Sequence, residues 1–157
     1  MSKIIGQAKN GFTIIELLIV VSVVGVLGAI GFNSYRQLQA EARDTNRLVK
    51  VSSLGLALEK YYNNHGDYPT CEALSSNVNN VAQNILPGLD KSLLQAPQGA
   101  ENSIICGTIT NNTNGDVFAY SRTTSTCGSL PPATCSSFTL QYKNEASDQI
   151  GQVSSKH

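Results

Sequence analysis

Residues 12–32 read FTIIELLIVVSVVGVLGAIGF, a run of 21 residues with a single charge, Glu16. At about 1.5 Å rise per residue, a helix of this length spans about 30 Å, the thickness of a bilayer's hydrocarbon core. The whole chain has 157 residues, enough for one ordinary domain and an appendage, so such a run has little protein in which to hide. The preceding MSKIIGQAKNG carries Lys3 and Lys9 and no acid. Positive flanks stay in the cytoplasm, which predicts the orientation. A secretory signal peptide has a shorter apolar core, about 7–15 residues, closed by a small-residue cleavage site. A plain signal anchor fits the length but leaves Glu16 without a reason.

A carboxylate inside a membrane segment costs about 2–3 kcal/mol or more, and less near the edge. An acid at such a place is a functional candidate, and its partner has to be named. No Lys, Arg or His lies between Thr13 and Tyr35. The expected cationic partner therefore comes from another chain.

Gly11-Phe12-Thr13-Ile14-Ile15-Glu16, behind a short basic leader and ahead of a long apolar helix, resembles the processing site of the type IV pilins and pseudopilins. The resemblance is strong over residues 6–36 and loose beyond them. It implies that a prepilin peptidase cuts between Gly11 and Phe12 and methylates the new amino terminus of Phe12. It also implies that Glu16 neutralises the amine on Phe12 of a neighbouring subunit. At about 4 Å and an effective dielectric near 20, such a pair is worth about 4 kcal/mol before desolvation. Desolvation takes most of this, so the pair acts mainly on axial register. The further partners implied are sister copies in a helical filament, a cytoplasmic assembly ATPase, a platform protein and the membrane.

Gly25, Gly28 and Gly31 recur every three residues. A mid-helix glycine costs about 1 kcal/mol relative to alanine, so together they are expected to soften the filament-core helix. Close helix packing is the alternative use of small residues in membranes. The family often has a proline shortly after its glycine, where this chain has Asn33.

Beyond the apolar run, Leu48, Val51, Leu54, Leu58 and Tyr61 step by three and four, one stripe of an amphipathic helix. Glu41, Arg43, Asp44 and Arg47 are read as solvated helix surface or inter-subunit contacts. Asn63-Asn64-His65-Gly66-Asp67-Tyr68-Pro69 signals the stop. A helix over residues 12–64 would be about 80 Å long, so its first half must be covered by lipid or by other subunits.

Downstream, SFTLQYK over residues 137–143 alternates apolar and polar and is the clearest strand. Residues 116–122, 149–153 and 103–110 are weaker strands, and a short helix is expected near residues 81–86 or 90–95. The predicted class is α+β: a long N-terminal helix under a small antiparallel sheet of three or four strands. The expected division is a leader at 1–11, an apolar helix at 12–33, an amphipathic helix at 34–64 and a globular head at 65–157.

Cys71, Cys106, Cys127 and Cys135 all fall in the part expected outside the membrane. Four cysteines there suggest two disulfides, with three connectivities open. Cys127–Cys135, which closes the short GSLPPAT loop, and Cys71–Cys106 are favoured. No C-x-x-C pair or suitable histidine supports zinc. Asp116, Glu145 and Asp148 are scattered, which ranks a calcium loop low, and no cofactor is expected. Asn111-Asn112-Thr113 has the form of a glycosylation sequon and is taken as a chance match.

Eleven basic and eleven acidic residues balance to zero, which argues against nucleic-acid binding by bulk charge. Charged residues are 14% of the chain, and no nucleophile–base set or phosphate loop stands out, so an enzyme is not expected. The expected function is a pilus subunit for adhesion, twitching motility or DNA uptake, made as a single-pass membrane precursor and exported to the cell surface. The alternatives are a pseudopilin of a type II secretion or competence system, since Tyr68-Pro69-Thr70 loosely resembles a motif of the major pseudopilins, and a monomeric membrane-anchored binding protein.

Overall fold

A computed structural model describes residues 11–111, 113, 115–126 and 134–155. The chain divides between Leu38 and Gln39 into two units, which are taken separately below. One helix, α1 (Ile14–His65, 52 residues), supplies secondary structure to both. No proline interrupts it. Its last turn closes where the Gly66 N–H donates to the Tyr62 carbonyl at 2.7 Å. Tyr61 stacks on His65 at a centroid distance of 4.0 Å, which makes His65 the helix's last residue rather than part of the turn beyond it.

In the first unit the helical side chains from residue 14 to residue 38 are exposed. The helix is long and apolar enough to cross a membrane.

In the second unit α1 buries Arg47, Val51, Leu54, Gly55 and Leu58. Short helices α2 (Cys71–Leu74) and α3 (Val78–Asn80) follow, then a π-helical turn (Val81–Ile85) and a 3₁₀ turn (Lys91–Leu94). Both places expected to hold a short helix therefore have one. Thr70 caps α2 by accepting the Ala73 N–H at 3.3 Å. Four strands come next, in the spatial order β1 (Ile104–Cys106), β2 (Phe118–Thr126), β3 (Thr134–Lys143) and β4 (Ile150–Ser154).

The helix-plus-sheet class is as expected, but the sheet is mixed. β2–β3 and β3–β4 are antiparallel, whereas β1 runs parallel to β2 with Ile104 opposite Phe118. The reason lies at Gly107, whose φ of 111° suits glycine and turns the chain out of the sheet. Residues between β1 and β2 then carry the chain back before it pairs again, a crossover that alternation of side chains cannot reveal.

The period-2 pattern of β3 holds. Phe138, Leu140 and Tyr142 face inward and join Phe118, Tyr120, Val51, Leu54, Leu58 and Tyr68 in one core. The helical stripe needs one correction. Leu48 is 46% exposed, and the buried place at the start of the stripe belongs to Arg47, at 1% exposure.

Candidate assembly and processing site

Gly11 and Phe12 lie in exposed, non-helical backbone just ahead of α1. No atom outside the adjoining residues comes within 4 Å of the place a side chain at Gly11 would occupy. Phe12 is 84% exposed. Among the described residues, Gly11 and Phe12 are thus uncovered.

Two residues on, Thr13 and Glu16 bind each other. The Thr13 N–H donates to Glu16 Oε2 at 2.9 Å, and the Thr13 hydroxyl donates to the same oxygen at 2.6 Å. The Glu16 N–H lies 3.4 Å from Thr13 Oγ1, completing a reciprocal box at the helix start. Such a box satisfies amides that the first turn leaves without carbonyl partners, and it places the carboxylate at the positive end of the helix dipole. Glu16 therefore has a neutral partner on its own helix. The T-x-x-E spacing carries this signal, but a search for a cation passes over it.

Gly25, Gly28 and Gly31 lie in unbroken helix, with open space around each. Ser22 and Ser34 turn their hydroxyls back onto the carbonyls of Ile19 and Ile30, at 2.8 and 3.4 Å. The apolar surface of this segment is thus not interrupted by unsatisfied donors.

A family profile described as the prokaryotic N-terminal methylation motif matches residues 6–32, the stretch that holds Gly11, Phe12 and Glu16. A "Fimbrial protein" of Neisseria meningitidis is 27% identical over 111 residues, 69% of this chain and 61% of that protein. The "Type IV major pilin protein PilE1" of Neisseria gonorrhoeae is 36% identical over 61 residues, 39% of this chain and 37% of the relative. In these comparisons the chain is similar to type IV pilins. A "Fimbrial protein" of Pseudomonas aeruginosa is 42% identical over 53 residues, 34% of each chain. The chain spans about three-fifths or less of the length of these curated relatives. No solved structure matches it.

The second unit is held by two polar clusters. In the first, the Arg47 guanidinium donates to the Gly115 carbonyl at 2.9 Å and to Asp44 at 2.7 Å, and it approaches Glu145 at 3.5 Å. Arg43 donates from Nε to Glu145 at 2.8 Å, and Asp44 accepts the Glu145 and Ala146 N–H groups. Arg43, Asp44 and Arg47 are thus intramolecular clamps on the β3–β4 turn, not free helix surface. Hydrogen bonding from Arg43 holds the Glu145 carboxyl below its ordinary range.

Asp116, Glu145 and Asp148, distant in sequence, line one polar pocket with Arg47 and Lys143. Lys143 pairs with Asp148 at 2.8 Å, and Asp116 lies 3.9 Å from Arg47. The acids there are matched by the chain's own cations, so the pocket has the charge pattern of an ion-pair network rather than of a calcium cage.

In the second cluster, Arg122 donates to Asp67 at 2.9 Å and to the Tyr68 carbonyl at 2.8 Å. The Tyr120 hydroxyl donates to the Pro69 carbonyl at 2.8 Å. The Tyr68 hydroxyl donates to Glu59 at 3.1 Å, and burial pushes its pKa up. The turn after α1 is thereby fastened to β2 and to the helix. Tyr68-Pro69-Thr70 sits in this network, which gives the triplet a structural use.

A disulfide joins Cys71 of α2 to Cys106 of β1. The expected Cys127–Cys135 pair involves Cys127, which falls outside the described residues, as do leader residues 1–10.

Proposed function

We propose that this chain is a structural pilin subunit, made as a single-pass membrane precursor and assembled into a helical filament on the cell surface. A prepilin peptidase cuts between Gly11 and Phe12, removing residues 1–11, and methylates Phe12. Residues 12–33 then form the filament core, residues 34–64 the amphipathic helix, and residues 65–157 the displayed head. Glu16 pairs with the Phe12 amine of a neighbour as the helix leaves the lipid. An assembly ATPase and a platform protein supply the work of extraction. Gly25, Gly28 and Gly31 let the core helix yield as it is repacked.

One observation carries this proposal: the apolar helix over residues 14–38 is exposed on every side, with a lone carboxylate at its head. Burying each large apolar side chain gains about 1.5–3 kcal/mol, which is available in lipid and equally in a bundle of sister helices.

The test is the mass of the mature chain with electron microscopy of material sheared from cells. A chain beginning at Phe12 with one added methyl, recovered in filaments, is the expected result. A chain that keeps Met1 and stays solitary in the membrane would be a monomeric anchor. Gly11→Ala should hold the precursor in the membrane. Filaments built from uncut chains would refute the peptidase step. Mature chains confined to short assemblies within the envelope would favour the pseudopilin alternative.

A further inference from the structure

The precursor proposed above needs a bilayer, and α1 carries marks of where that bilayer begins and ends. Between Glu16 and Arg36 there is no charged side chain. Twenty helical steps separate these residues, about 30 Å, which equals a typical hydrocarbon thickness. Side chains on a helix lean toward its N-terminus, and both charges here do so. The Glu16 carboxylate reaches back to Thr13. The Arg36 guanidinium lies back over the Phe32 ring, with Cζ 5.8 Å from the centroid. The interval between the two charges is therefore preserved. Ser22 and Ser34 satisfy their hydroxyls within the helix, and the other polar side chains between the ends, Asn33 and Tyr35, lie in the same turn as Arg36 and favour the same boundary.

We propose that Phe32, Tyr35 and Arg36 form a headgroup-binding turn that seats the precursor in the outer leaflet, with Glu16 and Thr13 at the inner boundary. A cation resting on a ring face keeps guanidinium N–H groups free to donate to lipid phosphate. Tyr35, 60% exposed, presents a ring with one polar end, the side-chain type that gathers at membrane–water interfaces. Sliding the helix by one turn in either direction draws one of the two charges about 5 Å into hydrocarbon, so the seat is centred by opposing costs. Glu16 then rests at the membrane edge in the precursor and enters a dry environment only on assembly. The occupant of the turn is a phospholipid headgroup, chosen by charge complementarity and by this spacing.

The inference rests on the membrane-precursor reading, and its test separates the two. The chain has no tryptophan, so Tyr35→Trp and Val26→Trp each introduce a single reporter. The full-length chain is reconstituted into phosphatidylethanolamine–phosphatidylglycerol vesicles. The probes are lipids brominated near the headgroup or near the bilayer centre, and aqueous iodide. At Tyr35→Trp the shallow bromine is expected to quench more strongly than the deep one, and at Val26→Trp the order reverses. Adding Arg36→Gln to the Tyr35→Trp chain is expected to raise quenching by aqueous acrylamide, a neutral probe, in these anionic vesicles.

Deep quenching at Tyr35→Trp, with Val26→Trp also deep, overturns the proposed seat and leaves the membrane reading standing. Shielding of Tyr35→Trp from both lipids and from iodide means that a second copy covers the turn, and overturns it equally. An acrylamide profile unchanged by Arg36→Gln overturns the part given to the guanidinium. Val26→Trp untouched by either lipid removes the membrane reading and the proposal with it.

Discussion

Asp44 accepts the backbone N–H of Glu145 at 2.7 Å, so a helical carboxylate caps a turn about a hundred residues further along the chain. Arg47, buried beside it, ties the same carboxylate to the Gly115 carbonyl. Replacing Arg47 by alanine leaves Asp44 and Glu145 without their shared cation. Breaking a buried pair typically costs about 3–5 kcal/mol. Because Glu145 is partly open to solvent, the expected loss is at the lower end. Thermal unfolding of the whole chain in detergent, followed by circular dichroism, measures it. An unchanged midpoint would show that the clamp is ornamental.

Acid should loosen the head. Hydrogen bonding from Arg43 holds Glu145 below its ordinary 4.5, and the Ser136 hydroxyl, the Tyr68 N–H and Arg122 hold Asp67 below its ordinary 3.8. A depressed carboxyl stabilises the fold at every pH above its unfolded value. It loses that contribution as pH falls through the folded value. The unfolding midpoint is expected to stay level from neutral pH down to the ordinary carboxylate range and to drop below it. The double variant Glu145→Gln, Asp67→Asn should show a shallower drop. Equal slopes in the two proteins would refute this assignment.

The Cys71–Cys106 bond closes a separation of 35 residues. In the chain-entropy description a loop of that size is worth about 4 kcal/mol. The Cys71→Ser, Cys106→Ser double variant should therefore melt well below the parent under oxidising conditions. With reductant present the difference should largely vanish. A gap that persists under reduction would point to lost packing rather than to the cross-link.

Gly99 admits no side chain. A methyl there would meet the Ser103 hydroxyl and the Asp116 carbonyl at less than contact distance. Ser103 is itself engaged, accepting the Ala96 N–H at 2.9 Å and donating to Ala100 at 2.9 Å. Gly99→Ala is expected to cost about 1–3 kcal/mol, the usual range for overpacking. Denaturant unfolding would read it, and a neutral result would mean that the 96–103 loop yields freely.

The bonding of Glu16 to Thr13 and its proposed pairing with a neighbour's Phe12 can be separated. Glutamine in its place can still complete the box with Thr13 but carries no charge. Glu16→Gln should thus keep the helix start intact, by amide exchange at residues 13–16, and still fail to form registered filaments. Normal filaments from Glu16→Gln would assign the residue to helix capping alone.

Much of this molecule is readable before folding. The apolar run, the Gly11–Phe12 junction and the alternation of Phe138, Leu140 and Tyr142 each carry a one-dimensional signal, a length, a spacing or a period. Arg47 could not be read this way. A charged residue beside an apolar stripe looks solvated until its partners, Gly115 and Glu145, arrive from distant strands and turns. The parallel setting of β1 was hidden for a similar reason, since side-chain period fixes which face is buried and not which way a strand runs. The Thr13–Glu16 box was legible and was masked by the stronger expectation of a cationic partner.

The turn between β3 and β4 stands on the outside of the head, where surface proteins commonly diversify their sequence. Its backbone is nonetheless committed, because two successive N–H groups must stay in front of one carboxylate. Side chains there can change, but an inserted or deleted residue would move an amide off Asp44 and release the turn from the helix. Variation in length should instead collect in loops that α1 does not hold.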